Sequence, residues 1–367
     1  MTERRSGTGA ARGVGRRPTI HDVARSAAVS PATVSNVLTG RRHVDPDLAA
    51  RVRRIIDELG YRRDIAASAL RSAQRTVVGA VVPELGNPFF AEMVDRLERE
   101  ARTAGRRLLV ATSGNDPAEE LRQVEALIAW RPAGLIAVPS EGAFAGRALL
   151  EREGIPFVVL DRPIDDGGEV DTIAVDNVAA AQEGAARLLE MGHRRLLVVA
   201  SAVSIGNVRE RLAGIDIAIA KVPGASAELL EAGIEVDTVA EAIAARLALQ
   251  PWPTAIFTLT NVLTLGVLKA VAELGIAIPD EVSLLGFDDF DWMEVYRPPL
   301  SAIRQPVAAM AHAAWDRLAV LTGAAPMPPT PDPCHVRLSC TLAWRGSVAP
   351  PRTSASAKRP KDVALPP

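Results

Sequence analysis

Cysteine is almost absent from this sequence: 367 residues hold two, Cys334 and Cys340. The five residues between them match no zinc or redox spacing, so both read as plain thiols in a reducing, cytoplasmic compartment. Long apolar runs are missing as well. Stretches such as Leu196–Ala200 and Val77–Val82 are far too short to cross a bilayer, and no membrane partner is expected. The first twenty residues are rich in Arg and Gly and have no apolar core, which argues against a secretory signal. Histidine is scarce, at five residues, and His193 in the Gly192-His193-Arg194 turn reads as structural. There is no P-loop, no Gly-rich dinucleotide fingerprint, no G-x-S-x-G elbow and no His/Asp/Glu metal cluster. An enzyme is therefore not expected, and no catalytic residue, cofactor or metal is assigned.

What is there is a globular composition with an uneven distribution of charge. The length suits one large domain plus a small one. The net charge of −2 conceals a balance of +8 over residues 1–75, which hold fifteen Arg and no Lys, and −10 over the remainder. A small basic headpiece on an acidic body implies that only the first part meets a polyanion.

The pattern along the chain changes at residue 76. Residues 1–17 have little to bury and read as a disordered basic tail. Over 18–62 the apolar spacing predicts three short helices. Thr19 caps the first, from Ile20 to Ala27. Ser30-Pro31 starts the second, which runs to Leu38. The third, Asp45–Leu59, carries an amphipathic stripe at Leu48, Val52, Ile55, Ile56 and Leu59. Three helices in about forty residues, the first two joined by a tight turn, form a unit of helix-turn-helix size. Residues 63–75 are a linker. From 76 to 347 short apolar runs alternate with amphipathic stretches. Strands are expected at Val77–Val82, Arg107–Ala111, Gly134–Val138, Phe157–Leu160, Leu196–Ala200, Ala255–Leu259 and Val282–Gly286. Helices are expected near Phe89–Ala104, Pro117–Ala129, Asn177–Met191, Glu241–Leu249 and Asn261–Leu274. Repeated βαβ units mean parallel sheets, and so many strands suit two lobes better than one. Residues 348–367 read as a second disordered tail.

Several motifs occur in a fixed order. The headpiece contains Thr19-Ile20-His21-Asp22-Val23-Ala24, then Val29-Ser30-Pro31-Ala32-Thr33-Val34-Ser35-Asn36-Val37-Leu38, Glu58-Leu59-Gly60-Tyr61 and Ala69-Leu70-Arg71-Ser72. The body contains Asn87-Pro88-Phe89-Phe90, Leu160-Asp161-Arg162, Gly286-Phe287-Asp288-Asp289, Pro298-Pro299-Leu300 and Arg304-Gln305-Pro306. Together they resemble the lactose-repressor (LacI/GalR) family over about 325 residues. The resemblance implies an α/β fold class: a small all-α headpiece joined to a two-lobed sensor domain like the periplasmic sugar-binding proteins. It also implies a homodimer, with a tetramer left open, on a pseudopalindromic operator in double-stranded DNA. The expected output is repression controlled by a small-molecule effector.

By family position Pro31, Ala32 and Asn36 face base edges. Asn36 suits a bidentate contact with adenine, whereas Pro31 and Ala32 offer only apolar contact. Thr19, Ser30, Thr33, Ser35, Arg41 and Arg42 suit the DNA backbone, which fixes position rather than sequence. Asp64–Ser72 resembles the family's hinge helix, with Leu70 as a wedge in the minor groove.

Ligands of such sheets bind beyond the carboxyl ends of the strands. There stand Phe89 and Phe90, Asp161 and Arg162, Asn261 and Asp288. The resemblance adds Asn207, Arg211 and Trp292. Carboxylate, amide and guanidinium groups beside aromatic rings suit a sugar or related metabolite. Val262 stands where relatives carry an acid and Ile234 near where an aromatic closes the pocket, so a non-sugar effector or corepressor is the alternative. A solute-binding protein is the remoter one, since it has no use for a headpiece.

Overall fold

The computed structural model describes residues 18–39, 42–61, 75–165, 167–325 and 333–352. These divide into two compact units, one before Arg75 and one from Arg75 onward. The expectations for residues 1–17, Arg41, the segment Asp64–Ser72 with Leu70, and the tail beyond 352 lie outside the described residues.

The first unit has helices α1 (Ile20–Ser26), α2 (Pro31–Thr39) and α3 (Pro46–Leu59). Each start is fixed by a short polar side chain. Thr19 accepts from the Asp22 amide while Asp22 accepts from the Thr19 amide at 2.8 Å, a reciprocal capping box. Ser30 Oγ accepts from the Thr33 amide at 3.1 Å, and Asp45 accepts from Asp47 and Leu48 ahead of Pro46. Val23, Val34 and Val52, all fully buried, meet at the centre and tie the three helices into one core.

The second unit is built of two lobes with the same strand order. The N-lobe sheet runs β11-β5-β4-β3-β1-β2 and the C-lobe sheet β12-β10-β9-β8-β6-β7. The N lobe contains β1 (Val77–Val82), α4 (Pro88–Thr103), β2 (Arg107–Thr112), α5 (Pro117–Ile128), β3 (Leu135–Ala137), α6 (Arg147–Arg152), β4 (Phe157–Leu160) and β5 (Thr172–Val175). The C lobe contains α7 (Asn177–Glu190), β6 (Arg195–Ala200), α8 (Gly206–Ala220), β7 (Ser226–Glu231), α9 (Val236–Leu247), β8 (Ala255–Thr258), α10 (Asn261–Leu274), β9 (Ser283–Phe287), α11 (Asp291–Val295) and β10 (Ser301–Arg304). The chain then returns to the N lobe for α12 (Val307–Leu321) and β11 (His335–Leu338), and crosses once more into β12 (Thr341–Ala343). All strand pairs are parallel except β10 with β12, an antiparallel edge. No helix among the described residues is long and apolar enough to cross a membrane.

Alternation along β1 explains the layering of the N lobe. Val78 and Val82 point to the core shared with α4 and α12, while Val81 points to the core under α5. In the C lobe α7 and α8 cross closely at Gly214, where a Cβ would lie 2.2 Å from the Val178 carbonyl oxygen. Only glycine permits that approach.

Three crossings join the lobes, and polar groups hold them. The Asp176 amide at the first crossing donates to the Leu338 carbonyl at the third, 2.8 Å away. Asp171, just before β5, accepts from Arg317 Nε and from the Cys334 amide, both at 2.6 Å, which pins α12 and the entry to β11. Cys340 stands at the third crossing, and burial pushes its thiol up to about 12, so it is not a reactive thiolate. Beyond residue 347 the chain does not leave the surface at once. Val348 is buried, and Ser283 Oγ accepts from the Ala349 amide and donates to the Ala349 carbonyl, each at 3.1 Å, so the expected tail begins as packed chain.

His193 is fully buried, with Nδ1 3.0 Å from Thr254 Oγ1. Burial lowers its pKa to about 4. A folded-state pKa below the ordinary histidine value of 6.5 means that the unfolded chain takes up the proton first. The stability His193 confers is therefore present above pH 6.5 and lost as pH falls from there toward 4. Across that window the loss amounts to about 3 kcal/mol. Asp161, described below, titrates in the opposite sense over part of the same range, so the informative quantity is a difference. Thermal melts of His193→Gln should fall less steeply than wild type between pH 6.5 and 4; parallel curves would refute the assignment.

Candidate functional site

In the headpiece the side of α2 opposite the core carries the residues singled out above. Ala32 is exposed and Pro31, Thr33, Ser35 and Asn36 are half-buried, while Val34 and Val37 point inward. Ser30 and Arg42 are exposed. The hydroxyls of Thr19, Ser30 and Thr33 already serve the caps: Thr19 Oγ1 donates to Asp22 Oδ2 at 2.7 Å, and Ser30 Oγ lies 2.9 Å from Thr33 Oγ1. Asn36 has no such local use among the described residues. The face presents short polar and apolar groups on a short helix, a shape that the major groove of DNA admits.

In the second unit the carboxyl ends of both sheets open on a cavity of about 50 Å³ between the lobes. That is room for a few waters, so the lobes are nearly closed on each other. β4 delivers Asp161 and Arg162, and β9 delivers Asp288, at equivalent places in the two sheets. Both aspartates hold left-handed backbone, φ +66° and +72°. For a residue with a Cβ this is strained, a cost tolerated where the turn must aim a side chain back across a strand end.

Arg211, on α8, is the central group. It is buried and its guanidinium lies 3.5 Å from the Phe287 ring centroid. Nε donates to Asn177 Oδ1 at 2.9 Å and Nη1 to the Leu259 carbonyl at 2.5 Å, but buried Nη2 meets no partner among the described residues. Asn177 is itself held, donating to Glu210 Oε2 at 2.8 Å, so Arg211 cannot swing. Across the cavity Asp161 Oδ2 accepts from Asn207 Nδ2 at 3.2 Å, while its buried Oδ1 has no donor among the described residues. Burial pushes Asp161 up to about 6, with Arg211 and Arg162 pulling the other way. Asp288 is raised too, for the same reason, although Arg211, Gln305 and the Asn261 amide oppose it. Arg162 donates to Asn115 Oδ1 and the Pro139 carbonyl, with its guanidinium 5.5 Å from the Phe90 centroid.

The cavity thus gathers Phe89, Phe90, Asp161, Arg162, Asn207, Arg211 and Asp288. Asn261 does not face it. Its Nδ2 donates to Asn87 Oδ1 on the other lobe at 2.8 Å and its backbone amide to Asp288. Trp292 stands apart, packed on the C-lobe core from α11. Sequence reasoning passed over Asn115, Ser201, Thr260 and Gln305, which also line the wall. The first three follow β2, β6 and β8, so the strand-end rule applied to every strand finds them. Gln305 donates to Asp288 Oδ1 at 2.7 Å from the crossing into α12, a place no local pattern announces.

A helix-turn-helix headpiece with a two-lobed α/β binding domain defines a DNA-binding regulator of the ligand-responsive kind. Comparison with known proteins agrees. Residues 19–64 match the bacterial regulatory proteins of the lacI family, and residues 75–319 match the periplasmic binding proteins and sugar binding domain of the LacI family. The chain belongs to the LacI family of transcriptional regulators. It is 31% identical over 304 residues, 82% of this chain and 88% of the relative, to the regulator PtxS of Pseudomonas putida. To the regulator DegA of Bacillus subtilis it is 27% identical over 301 residues, 80% and 88% of the two chains. Among solved structures, the lac repressor dimer bound to operator and the anti-inducer ONPF has a TM-score of 0.79 at 24% identity, covering 91% of this chain and 100% of that one. The regulator CelR in complex with cellobiose has a TM-score of 0.66 at 27% identity, covering 90% and 100%.

Proposed function

We propose that this regulator is a repressor that grips a pseudopalindromic operator as a homodimer and changes its operator affinity when a small molecule enters the cavity between the lobes. One observation carries the effector half of this reading. Asp161 Oδ1 and Arg211 Nη2 are buried polar atoms on the cavity wall with no partner among the described residues. Leaving such groups unmatched costs about 1–3 kcal/mol each, more where they are charged, and a ligand that pairs them recovers that cost. The relatives point the same way: the CelR structure holds cellobiose, and the lac repressor structure holds both operator and ONPF. Closure of the lobes around a ligand alters operator affinity to the extent that the ligand prefers the closed form.

On the DNA side we assign base reading to Asn36, with Pro31 and Ala32 in apolar contact, and backbone contact to Thr19, Ser30, Thr33, Ser35, Arg41 and Arg42. Leu70 is the proposed wedge. Selection of bound sequences from random duplexes by the full-length protein should return a palindrome of about 14–20 base pairs with a flexible central step. In the same selection Asn36→Ala should relax one position in each half-site and weaken binding to the wild-type site by about 1–3 kcal/mol. Binding that collapses with salt and returns no motif would reduce the headpiece to a phosphate contact and sink the proposal.

A further inference from the structure

One end of the N lobe carries arginines that the fold leaves without counter-charges. The sheet order sets β3, β1 and β2 side by side. Their carboxyl ends open on the cavity between the lobes, so their amino ends form the opposite edge of the lobe. Arg106 and Arg107 open β2, Arg75 precedes β1, and Trp130-Arg131 leads into β3. Backbone hydrogen bonds bring the three places together. The Arg107 amide donates to the Thr76 carbonyl at 2.9 Å and the Ala133 amide to the Val77 carbonyl at 2.7 Å. Arg75 Nη1 reaches the Pro132 carbonyl at 3.3 Å, and Arg106 Nη1 lies 3.5 Å from Thr322 Oγ1 at the end of α12. Neither contact supplies a negative charge.

Arg75, Arg107 and Arg131 are exposed, Arg106 is half-buried, and none of the four meets a carboxylate among the described residues. Elsewhere on the lobe the rule is different: Arg96, Arg99, Arg102, Arg122, Arg147 and Arg152 each pair with an acid. Glu125, in the last turn of α5, offsets one charge of the ridge at most. The chain beyond residue 75 has a balance of −10, so a ridge of free arginines there runs against its composition. Guanidinium groups match phosphate oxygens in shape and charge, and a cluster of them raises the local concentration of a polyanion. Exposed Trp130 stands beside Arg131 and adds a ring that can lie against deoxyribose. The chain also enters the unit at Arg75, inside the ridge, and only residues 62–74 separate Arg75 from the described headpiece. A segment of that length spans at most about 50 Å, which keeps a duplex held by the headpiece near this edge. We infer that the sensor unit itself holds DNA, with Arg75, Arg106, Arg107 and Arg131 contacting phosphates of the duplex that the headpiece reads. Contacts of this kind add affinity and fix position without reading sequence. The inference rests on DNA binding by the chain and on neither the effector nor a particular operator.

The test is binding of the full-length protein to a labelled random-sequence duplex several helical turns long, followed by fluorescence anisotropy from about 50 to 200 mM salt. Arg107→Gln combined with Arg131→Gln should lower the slope of log affinity against log salt by about 2 for each subunit. At the low end of the range affinity should fall on the order of tenfold or more. Both side chains are exposed, so the melting temperature should not change. Arg107→Lys with Arg131→Lys keeps the charges and should keep the slope. Lys221→Gln removes an exposed charge from the C lobe and should leave the slope alone. A wild-type slope in the Gln pair overturns the inference, and so does an equal loss per charge in Lys221→Gln, which would show net charge at work instead of the ridge. A Lys pair that behaves like the Gln pair overturns the phosphate contact in favour of a structural role. In each of those cases the headpiece reading stands. Failure of the wild type to bind any duplex sinks both.

Discussion

Gly206→Ala should leave each lobe folded and deprive the protein of its response to effector. A Cβ on Gly206 would lie 2.0 Å from the Pro163 carbonyl oxygen on the other lobe. The neighbour is backbone at the exit of β4, with no rotamer to yield, so the rim must open by about 1 Å before the lobes come to rest. Three cross-lobe contacts lie beside it. Asn207 reaches Asp161 at 3.2 Å, Arg209 Nη2 donates to Asp165 at 2.6 Å, and Asn261 reaches Asn87 at 2.8 Å. Groups that meet only in the closed form cannot grip a ligand when held apart, and a displacement of this size costs affinity on the order of 100-fold. Small-angle scattering should show a variant that does not compact, and operator titrations should show the same affinity with and without the ligand that acts on wild type. A variant that answers the ligand at the wild-type concentration would refute the closure argument.

Arg211→Met is expected to have a larger effect on stability. The guanidinium is the shared counter-charge of Asp161 and Asp288, both buried, and it stacks on Phe287. Removing one member of a buried charge group leaves the others uncompensated, at about 3–5 kcal/mol. For a unit of this size that is a fall in melting temperature on the order of 10 °C. The pH dependence separates charge from packing. With the cation gone, both carboxylates are driven further toward their protonated forms, so the deficit should shrink as pH falls from 7 to 5. Adding Asp161→Asn should recover part of the loss at pH 7. A melting temperature within 2 °C of wild type, or a deficit that ignores pH, would refute the role given to Arg211.

How much of this was legible beforehand depends on what each element shows locally. Strands buried on both faces announce themselves as apolar runs, and β1, β4, β6, β8 and β9 fall where apolar residues cluster. β7 does not, because Ser226–Glu231 is an edge strand with most of its residues exposed and no face to fill with apolar side chains. β10 and β12 are short pieces whose identity comes from their partners in the sheet. α12 is alanine-rich, and only its place between α4 and the sheet shows which face is buried. The cavity followed the same divide. Asp161, Arg162 and Asp288 were readable because they directly follow strands. Asn261 was placed correctly at a strand end, yet its side chain spans the lobes instead of facing the cavity. Trp292 came from the family resemblance, and α11 turns it onto the C-lobe core.

The order of the crossings also governs how the protein is made. The N lobe takes its first five strands from residues 77–175, but α12 and the edge strand β11 come from residues 307–338. While the C lobe is emerging from the ribosome, the half-finished N lobe must wait with Val78, Val82 and Ile173 uncovered on the face that α12 will close. The last crossing, into β12, then completes the C-lobe sheet. Neither lobe can therefore mature ahead of the other, and a chain terminated anywhere before residue 338 leaves two unfinished sheets instead of one finished lobe. For the cell this acts as a checkpoint: a message cut short before the codons of β11 yields material for proteases, not a headpiece on half a sensor.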